Sequence, residues 1–575
     1  MKRKLWILFL VLSVATAGGC GAIMAKKAGW RGAENTVQGA RTVMVPMSDG
    51  VQLATDIYLP QAQGPFPAII LRTPYGRGVG MSIFAKLFAQ RGYAFVVQDV
   101  RGRYGSQGQW YAFHNEGPDG EDTFNWVHKQ PWCDRRIGLF GFSYFGFTQW
   151  QTANRVGSEL GAWAPSFTGS SIYDVSYRQN VYQLMQSASW SLENARKTGK
   201  DGILFRPGRS FTPPLITVDS RNGFDVKFFN DWVEHPQFDD YWKKVSSEGR
   251  WDKIEAPALL VDGWYDLFAG TTLRDWKNLT TKAGSRTRSG SHLVIGPWAH
   301  NMSNKLAGLT YGREADFLAY SKVYIEWFDK HLLGRDTFHE PKVKIFTMGI
   351  NQWRSFDQWP PADARATAWY FHSGGHAAGG KDGRLDRQRS GGEQADAFVH
   401  DPDNLVPTMG GPLFPPNQAG PVDASSLSRR DDVVTYTSEE MKSDLEITGP
   451  IEAKVWVTAD TPDADIFVSL QDVDQDGASR VLVDGIARAR YRNGQDNDWL
   501  DAGTPAEINV DLWAVSQVVK KGHKVRVLVA GSSYPRFAPN PCTKDNPGTA
   551  TKYSKSKVKI YHDSEHPSQI VLSIR

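Results

Sequence analysis

Cysteine is nearly missing from this chain: 575 residues hold three, Cys20, Cys133 and Cys542. That scarcity excludes a disulfide-stapled scaffold, and Cys133 and Cys542 are expected as separate buried thiols. An excess of one charge sign is missing too. The net charge is +4, and most of it sits in Lys2-Arg3-Lys4, so no nucleic-acid footprint is indicated. Long hydrophobic runs are also missing. The apolar stretch Leu5 to Ala17 falls short of the ~20 residues of a membrane span. No Walker A, Rossmann or H-E-x-x-H pattern occurs, and neither a cofactor nor a metal is expected.

What that N-terminal stretch offers instead is a basic n-region, a short apolar h-region and then Ala17-Gly18-Gly19-Cys20. This is the layout of a secretory signal peptide over residues 1–20. The small residues before Cys20 resemble a bacterial lipobox, with Ala17 where Leu is usual. Two outcomes stay open: lipidation at Cys20, giving a periplasmic or membrane-anchored lipoprotein, and plain secretion. Membrane contact is expected only through that lipid anchor.

The hydrophobic pattern divides the rest. Residues 40–165 read as the first part of an α/β domain. Arg41 to Pro46 and Val51 to Leu59 alternate as two antiparallel strands around a Ser48-Asp49-Gly50 turn. Phe66 to Leu71 and Tyr93 to Asp99 are continuous apolar runs of strands buried on both faces, separated by helical stretches. Residues 166–250 switch to helical spacing rich in Trp and Tyr, with no strong strand from about Trp163 onward, and read as a helical cap. The sheet resumes over 251–340, with Ala256 to Asp262, His292 to Gly296 and a closing helix Ala315 to Leu333. Beyond Pro341, residues 341–575 carry short alternating strands and a Gly/Pro/Asp-rich connection from Ser373 to Asp423, predicting an all-β jelly roll.

Chemistry concentrates at Ile137 to Gly146. An apolar strand runs into Gly141-Phe142-Ser143-Tyr144-Phe145-Gly146, the chain's sole G-x-S-x-x-G, and then into a helix. This is close to a nucleophile elbow, the strand-to-helix turn that lifts a serine hydroxyl above a sheet. Downstream, Asp266 and His300 each follow a resumed strand, where functional residues of an open α/β sheet gather. The order Ser143, Asp266, His300 is that of α/β-hydrolases. A serine hydroxyl needs an imidazole to take its proton, and a carboxylate to orient that imidazole. Asp262 is the rival acid.

These segments, with Pro74-Tyr75, Gln98-Asp99-Val100-Arg101-Gly102, Trp132-Cys133-Asp134, Gly263-Trp264-Tyr265-Asp266 and Gly296-Pro297-Trp298-Ala299-His300, resemble the cocaine esterase (CocE/NonD) family. That family includes α-amino acid ester hydrolases, glutaryl-cephalosporin acylases and X-Pro dipeptidyl peptidases, and its elbow typically reads G-x-S-Y-x-G. The resemblance runs from about residue 40 to the end. It implies an α/β-hydrolase fold with an inserted cap and a C-terminal jelly roll. It also implies Ser143 as nucleophile, Asp266 as acid, His300 as base, and Tyr75 as oxyanion donor beside the backbone N–H of Tyr144. The departure is Gly76-Arg77, where relatives often carry Asp-Lys.

Phe268, Trp298 and Trp163 are the expected pocket residues. The cap aromatics Trp163, Tyr173, Trp190, Trp232 and Trp242 fit either a bulky apolar substituent or the cap's own core. Asp472 to Gly477 imitates the start of an EF-hand loop, but Val483 stands where Glu is required, so a polar hairpin is expected. The resulting expectation is a serine hydrolase that cleaves a small ester, amide or short peptide through an acyl-enzyme. The non-enzymatic alternative is a surface carbohydrate-binding protein with an inert hydrolase domain, and it accounts poorly for a retained Ser143, Asp266 and His300.

Overall fold

The computed structural model describes residues 20–198, 212–414, 418–494 and 497–575. The expected signal peptide and the Cys20 side chain lie outside the described residues; a short helix, α1 (Cys20–Lys27), opens what is described.

The first domain is built on a ten-stranded sheet. Its strands are β1 (Arg41–Pro46), β2 (Gln52–Tyr58), β3 (Phe66–Thr73), β4 (Ala94–Asp99), β5 (Cys133–Phe142), β6 (Leu160–Ser166), β7 (Leu259–Tyr265), β8 (His292–Ala299), β9 (Val343–Thr347) and β10 (Gln352–Phe356). They lie in the order β1-β2-β4-β3-β5-β6-β7-β8-β9-β10. From β4 to β9 every pairing is parallel, and the outer strands are antiparallel.

The apolar runs explain the layering. In β3, Ala68 and Ile70 enter one core while Ile69 and Leu71 enter the other. Period-two alternation thus delivers hydrophobic side chains to both faces, as a strand between two helical layers requires. Helices α3 (Glu116–His128) and α4 (Ser143–Val156) cover one face, and α2 (Val79–Ala89) and α7 (Lys322–Leu333) the other. The expected helix Ala315 to Leu333 is broken: a short helix Phe317–Tyr320 precedes α7.

Two expectations are corrected. β6 is a buried sheet strand that runs past Trp163 into the stretch read as free of strands; its Gly161, Ala162, Ala164 and Pro165 hide it from a pattern that seeks branched residues. β9 and β10 follow Pro341 yet pair onto β8, so the first sheet continues past the boundary drawn at 340.

The cap joins β6 to β7 and carries α5 (Leu184–Glu193) and α6 (Lys227–Glu234). The C-terminal domain is all-β, an eleven-stranded sheet built around Leu445–Ala459, which pairs with Ala506–Val519 along its length. The cap is tied to it by Arg178, whose guanidinium lies 3.5 Å from the Trp513 ring centroid and donates to the Asp484 and Asp511 carbonyls. The EF-hand imitation is a hairpin turn in which Asp474 accepts from the Asp476 and Ala478 amides. Cys133 and Cys542 are free and buried.

Candidate active site

Because β3, β5, β7 and β8 run parallel, the residues just beyond their carboxyl ends, Tyr75, Ser143, Asp266 and His300, share one edge of the sheet. Ser143 begins α4 with φ +53°, a left-handed conformation that a non-glycine residue adopts only when its surroundings impose it. The flanking glycines make room for that turn. A Cβ on Gly141 would lie 2.6 Å from the Phe145 carbonyl, and one on Gly146 would lie 2.6 Å from the Thr168 methyl.

The hydroxyl so raised meets the imidazole. Ser143 Oγ lies 3.0 Å from His300 Nε2, and His300 Nδ1 lies 2.6 Å from Asp266 Oδ2. Asp266 is fully buried, and its other oxygen accepts from the Phe268 amide at 2.7 Å. The rival Asp262 does not reach His300. Its Oδ1 accepts from the Gly263 amide at 2.7 Å, and its Oδ2 meets the Thr272 hydroxyl. Burial, and then the neighbouring Asp266 charge, push the Asp262 carboxyl well above the ordinary carboxylate range.

On the other side of Ser143 stands Tyr75. Its phenolic oxygen accepts from the Trp190 indole at 3.0 Å. Burial pushes the Tyr75 phenol up to about 12, opposed chiefly by the Trp190 hydrogen bond, so the group stays an O–H donor through neutral pH. The Tyr144 amide lies in the first turn of α4, where helical N–H groups have no carbonyl four residues back. The Tyr144 side chain points away, donating to Glu116 and accepting from the Phe113 amide, both at 2.8 Å. Arg77, the departure from the family pattern, is held by Asp56 and Asp99.

The cavity beside Ser143 leaves about 50 Å³ of open volume. Of the three expected pocket residues, Phe268 lines it and the other two do not. Trp298 is packed on Phe317 at 5.1 Å and donates to the Ala315 carbonyl. Trp163 is buried edge-on against Trp150 and donates to the Ala256 carbonyl. The cap aromatics divide between both readings: Trp190 and Trp232 wall the cavity, while Tyr173 and Trp242 pack on each other in the cap core. Phe113 and Phe414 also line it, beside Leu267, Gln186 and Ser187, and were missed. The trace of Phe414 in the sequence is Leu413-Phe414, an apolar pair between Gly410-Gly411 and Pro415-Pro416. No Asp, Glu, Lys or Arg is among the described lining residues. Among the described residues no group of His, Cys, Asp and Glu is placed to hold a metal.

Comparison with known proteins places this site in a family. The profile of the X-Pro dipeptidyl-peptidase (S15 family) matches residues 49–302, and that of the X-Pro dipeptidyl-peptidase C-terminal non-catalytic domain matches residues 337–571. Cocaine esterase of Rhodococcus sp. (strain MB1 Bresler) is 34% identical over 577 residues, covering 93% of this chain and 98% of that protein. The chain belongs to the cocaine esterase and X-Pro dipeptidyl-peptidase family of hydrolases. Solved structures extend the likeness in fold. An aminopeptidase from the marine sediment archaeon Thaumarchaeota archaeon superposes with a TM-score of 0.82 at 23% identity, covering 95% of this chain and 97% of that one. A selenomethionine-labelled α-amino acid ester hydrolase gives 0.81 at 23% identity, covering 95% and 98%. The protein is thus a hydrolase of the serine esterase and peptidase kind, with an α/β-hydrolase domain and a separate all-β domain.

Proposed function

We propose that the protein is a serine esterase that cleaves small esters with an apolar acyl group through an acyl-enzyme. The observation that carries this reading is the unbroken chain Ser143 Oγ, His300 Nε2, His300 Nδ1, Asp266 Oδ2, with links of 3.0 and 2.6 Å. Ser143 Oγ forms a bond to the acyl carbon as its proton passes to His300 Nε2, and the carbonyl electron pair moves onto oxygen. Collapse expels the alcohol, which takes the proton from His300. Water then enters by the same route and releases the acid. Asp266 holds the imidazole tautomer and stabilises its charged form. The Tyr75 O–H and the Tyr144 N–H receive the oxyanion.

An ester without an α-amino group is favoured over an aminoacyl or X-Pro substrate, because no carboxylate is among the described residues that line the cavity, and Glu193, whose charge reaches Tyr75, is not one of them. A panel of p-nitrophenyl acyl esters run beside X-Pro and aminoacyl anilides tests this. Burst release with the esters and a fluorophosphonate adduct confined to Ser143 are expected. Faster turnover of the anilides would reverse the substrate order. Export rests on the N-terminal sequence alone: we propose a signal peptide with lipidation at Cys20, and Cys20→Ser should move the protein from membranes to the soluble fraction. An unmodified mature N-terminus beyond Cys20 would leave plain secretion.

A further inference from the structure

Trp190 sits in α5 of the cap, and its contacts exceed those of a wall. Its ring is packed against Phe113 at 5.2 Å, Tyr144 at 5.9 Å and Trp232 at 6.0 Å, with interplanar angles of 28°, 15° and 17°. Within that stack the indole Nε1–H meets Tyr75 Oη, 3.0 Å away. Indole nitrogen only donates, whereas a phenol donates one proton and accepts on its lone pairs. In this pair Tyr75 is therefore the acceptor, and its own proton must point elsewhere. Ser143 also neighbours the phenol, and the two line the same cavity, where the acyl carbonyl would sit.

A second connection keeps the two elements in register. Arg103, fully buried, donates from Nε to the carbonyl of Pro74, the residue before Tyr75. It also donates from Nη1 to the carbonyl of Asn194, the residue after α5. The loop that carries Tyr75 and the C-terminal part of the helix that carries Trp190 are thus joined twice. A hydrogen bond accepted by a phenolic oxygen also polarises its O–H, which makes it a better donor when charge develops.

We propose that Trp190 is a positioning residue for the oxyanion hole. Its indole N–H occupies the Tyr75 oxygen and so aims the phenolic proton at the oxyanion. Because α5 belongs to the cap, the catalytic centre of the sheet domain is complete only with the cap seated. This rests on the esterase reading and on Tyr75 as oxyanion donor. The plainer account is that a partly buried indole found a convenient acceptor and serves only as apolar wall.

A double-mutant cycle separates the two. Trp190→Phe keeps an aromatic wall and removes the donor; Tyr75→Phe removes the oxyanion donor. With p-nitrophenyl acetate, whose small acyl group depends little on the wall, Trp190→Phe should lower kcat by about tenfold with KM nearly unchanged. In the Tyr75→Phe background the same change should have no further effect on kcat. Trp190→Leu serves as a second variant if the first does not fold. An equal loss in both backgrounds, or no loss in the wild-type background, overturns the positioning role. A silent Tyr75→Phe would instead remove the oxyanion assignment, and absence of fluorophosphonate labelling at Ser143 in the wild-type protein would remove the esterase reading.

Discussion

The ring of Phe414 stands against the imidazole of His300, centroids 5.5 Å apart at 43°. His300 belongs to the sheet domain, whereas Phe414 is carried by the connection between strands of the all-β domain. The second domain therefore reaches the histidine on which the proposed chemistry turns. Phe414→Ala should lower kcat/KM by about tenfold, the worth of one aromatic contact, while circular dichroism and gel filtration stay unchanged. A variant with full activity would reduce the domain to a scaffold.

The two aspartates around β7 should behave differently. Asp266→Asn leaves His300 with the wrong partner, and kcat should fall by about 10⁴, the loss this change causes in a serine-protease triad. Asp262 is bonded to Gly263 and Thr272 and makes no bond to His300, and burial with the Asp266 charge beside it raises its affinity for protons. Asp262→Asn should stay within about threefold in kcat, since no hydrogen bond to the imidazole is lost. The reverse ranking, measured by burst kinetics, would transfer the acid role to Asp262.

Tyr75→Phe should cost about 10²–10³ in kcat with KM little altered, as removal of one oxyanion donor does. Fluorophosphonate labelling of Ser143 should persist at a reduced rate. A near-normal kcat would make Tyr75 a lid over the end of β3.

Glu193, one turn beyond Trp190, gives the site a pH response. Burial pushes its carboxyl up to about 7, and its charge is felt by Tyr75. The folded value lies above the ~4.3 of an unfolded Glu. Its contribution to stability is thus complete below ~4.3 and is lost as pH rises towards 7. Ionised Glu193 also opposes a developing oxyanion, so kcat should decline through about pH 7. Glu193→Gln should remove that decline and raise the Tm above pH 7. An unchanged profile in the Gln variant would assign the decline to another group.

Much of this was readable in the sequence because α/β sheets follow simple periodicities. β3 and β4 are apolar on both faces, and the elbow has its glycines where a Cβ would strike Phe145 and Thr168. The placement of Asp266 and His300 after resumed strands followed from sheet topology alone. Periodicity tells which residues are buried and not what they are buried against. Trp298 and Trp163 were therefore expected at the cavity, although they pack on Phe317 and Trp150. β6 escaped because close packing selects small residues and tolerates Pro165 there. Phe414 escaped because 114 residues separate it from His300, and no local rule predicts which loop folds back over a site.

The open space beside Ser143, about 50 Å³, is bounded by the rings of Phe268, Trp190 and Phe414. An acyl group that outgrows it has to part those rings as it enters. Capture of substrate becomes a two-step event, in which an encounter at the rim is followed by slower displacement of rings. Association should then run well below the rate of diffusional collision and climb steeply with temperature. Chain length in the acyl group should be read in how fast the ester arrives as much as in how tightly it is held.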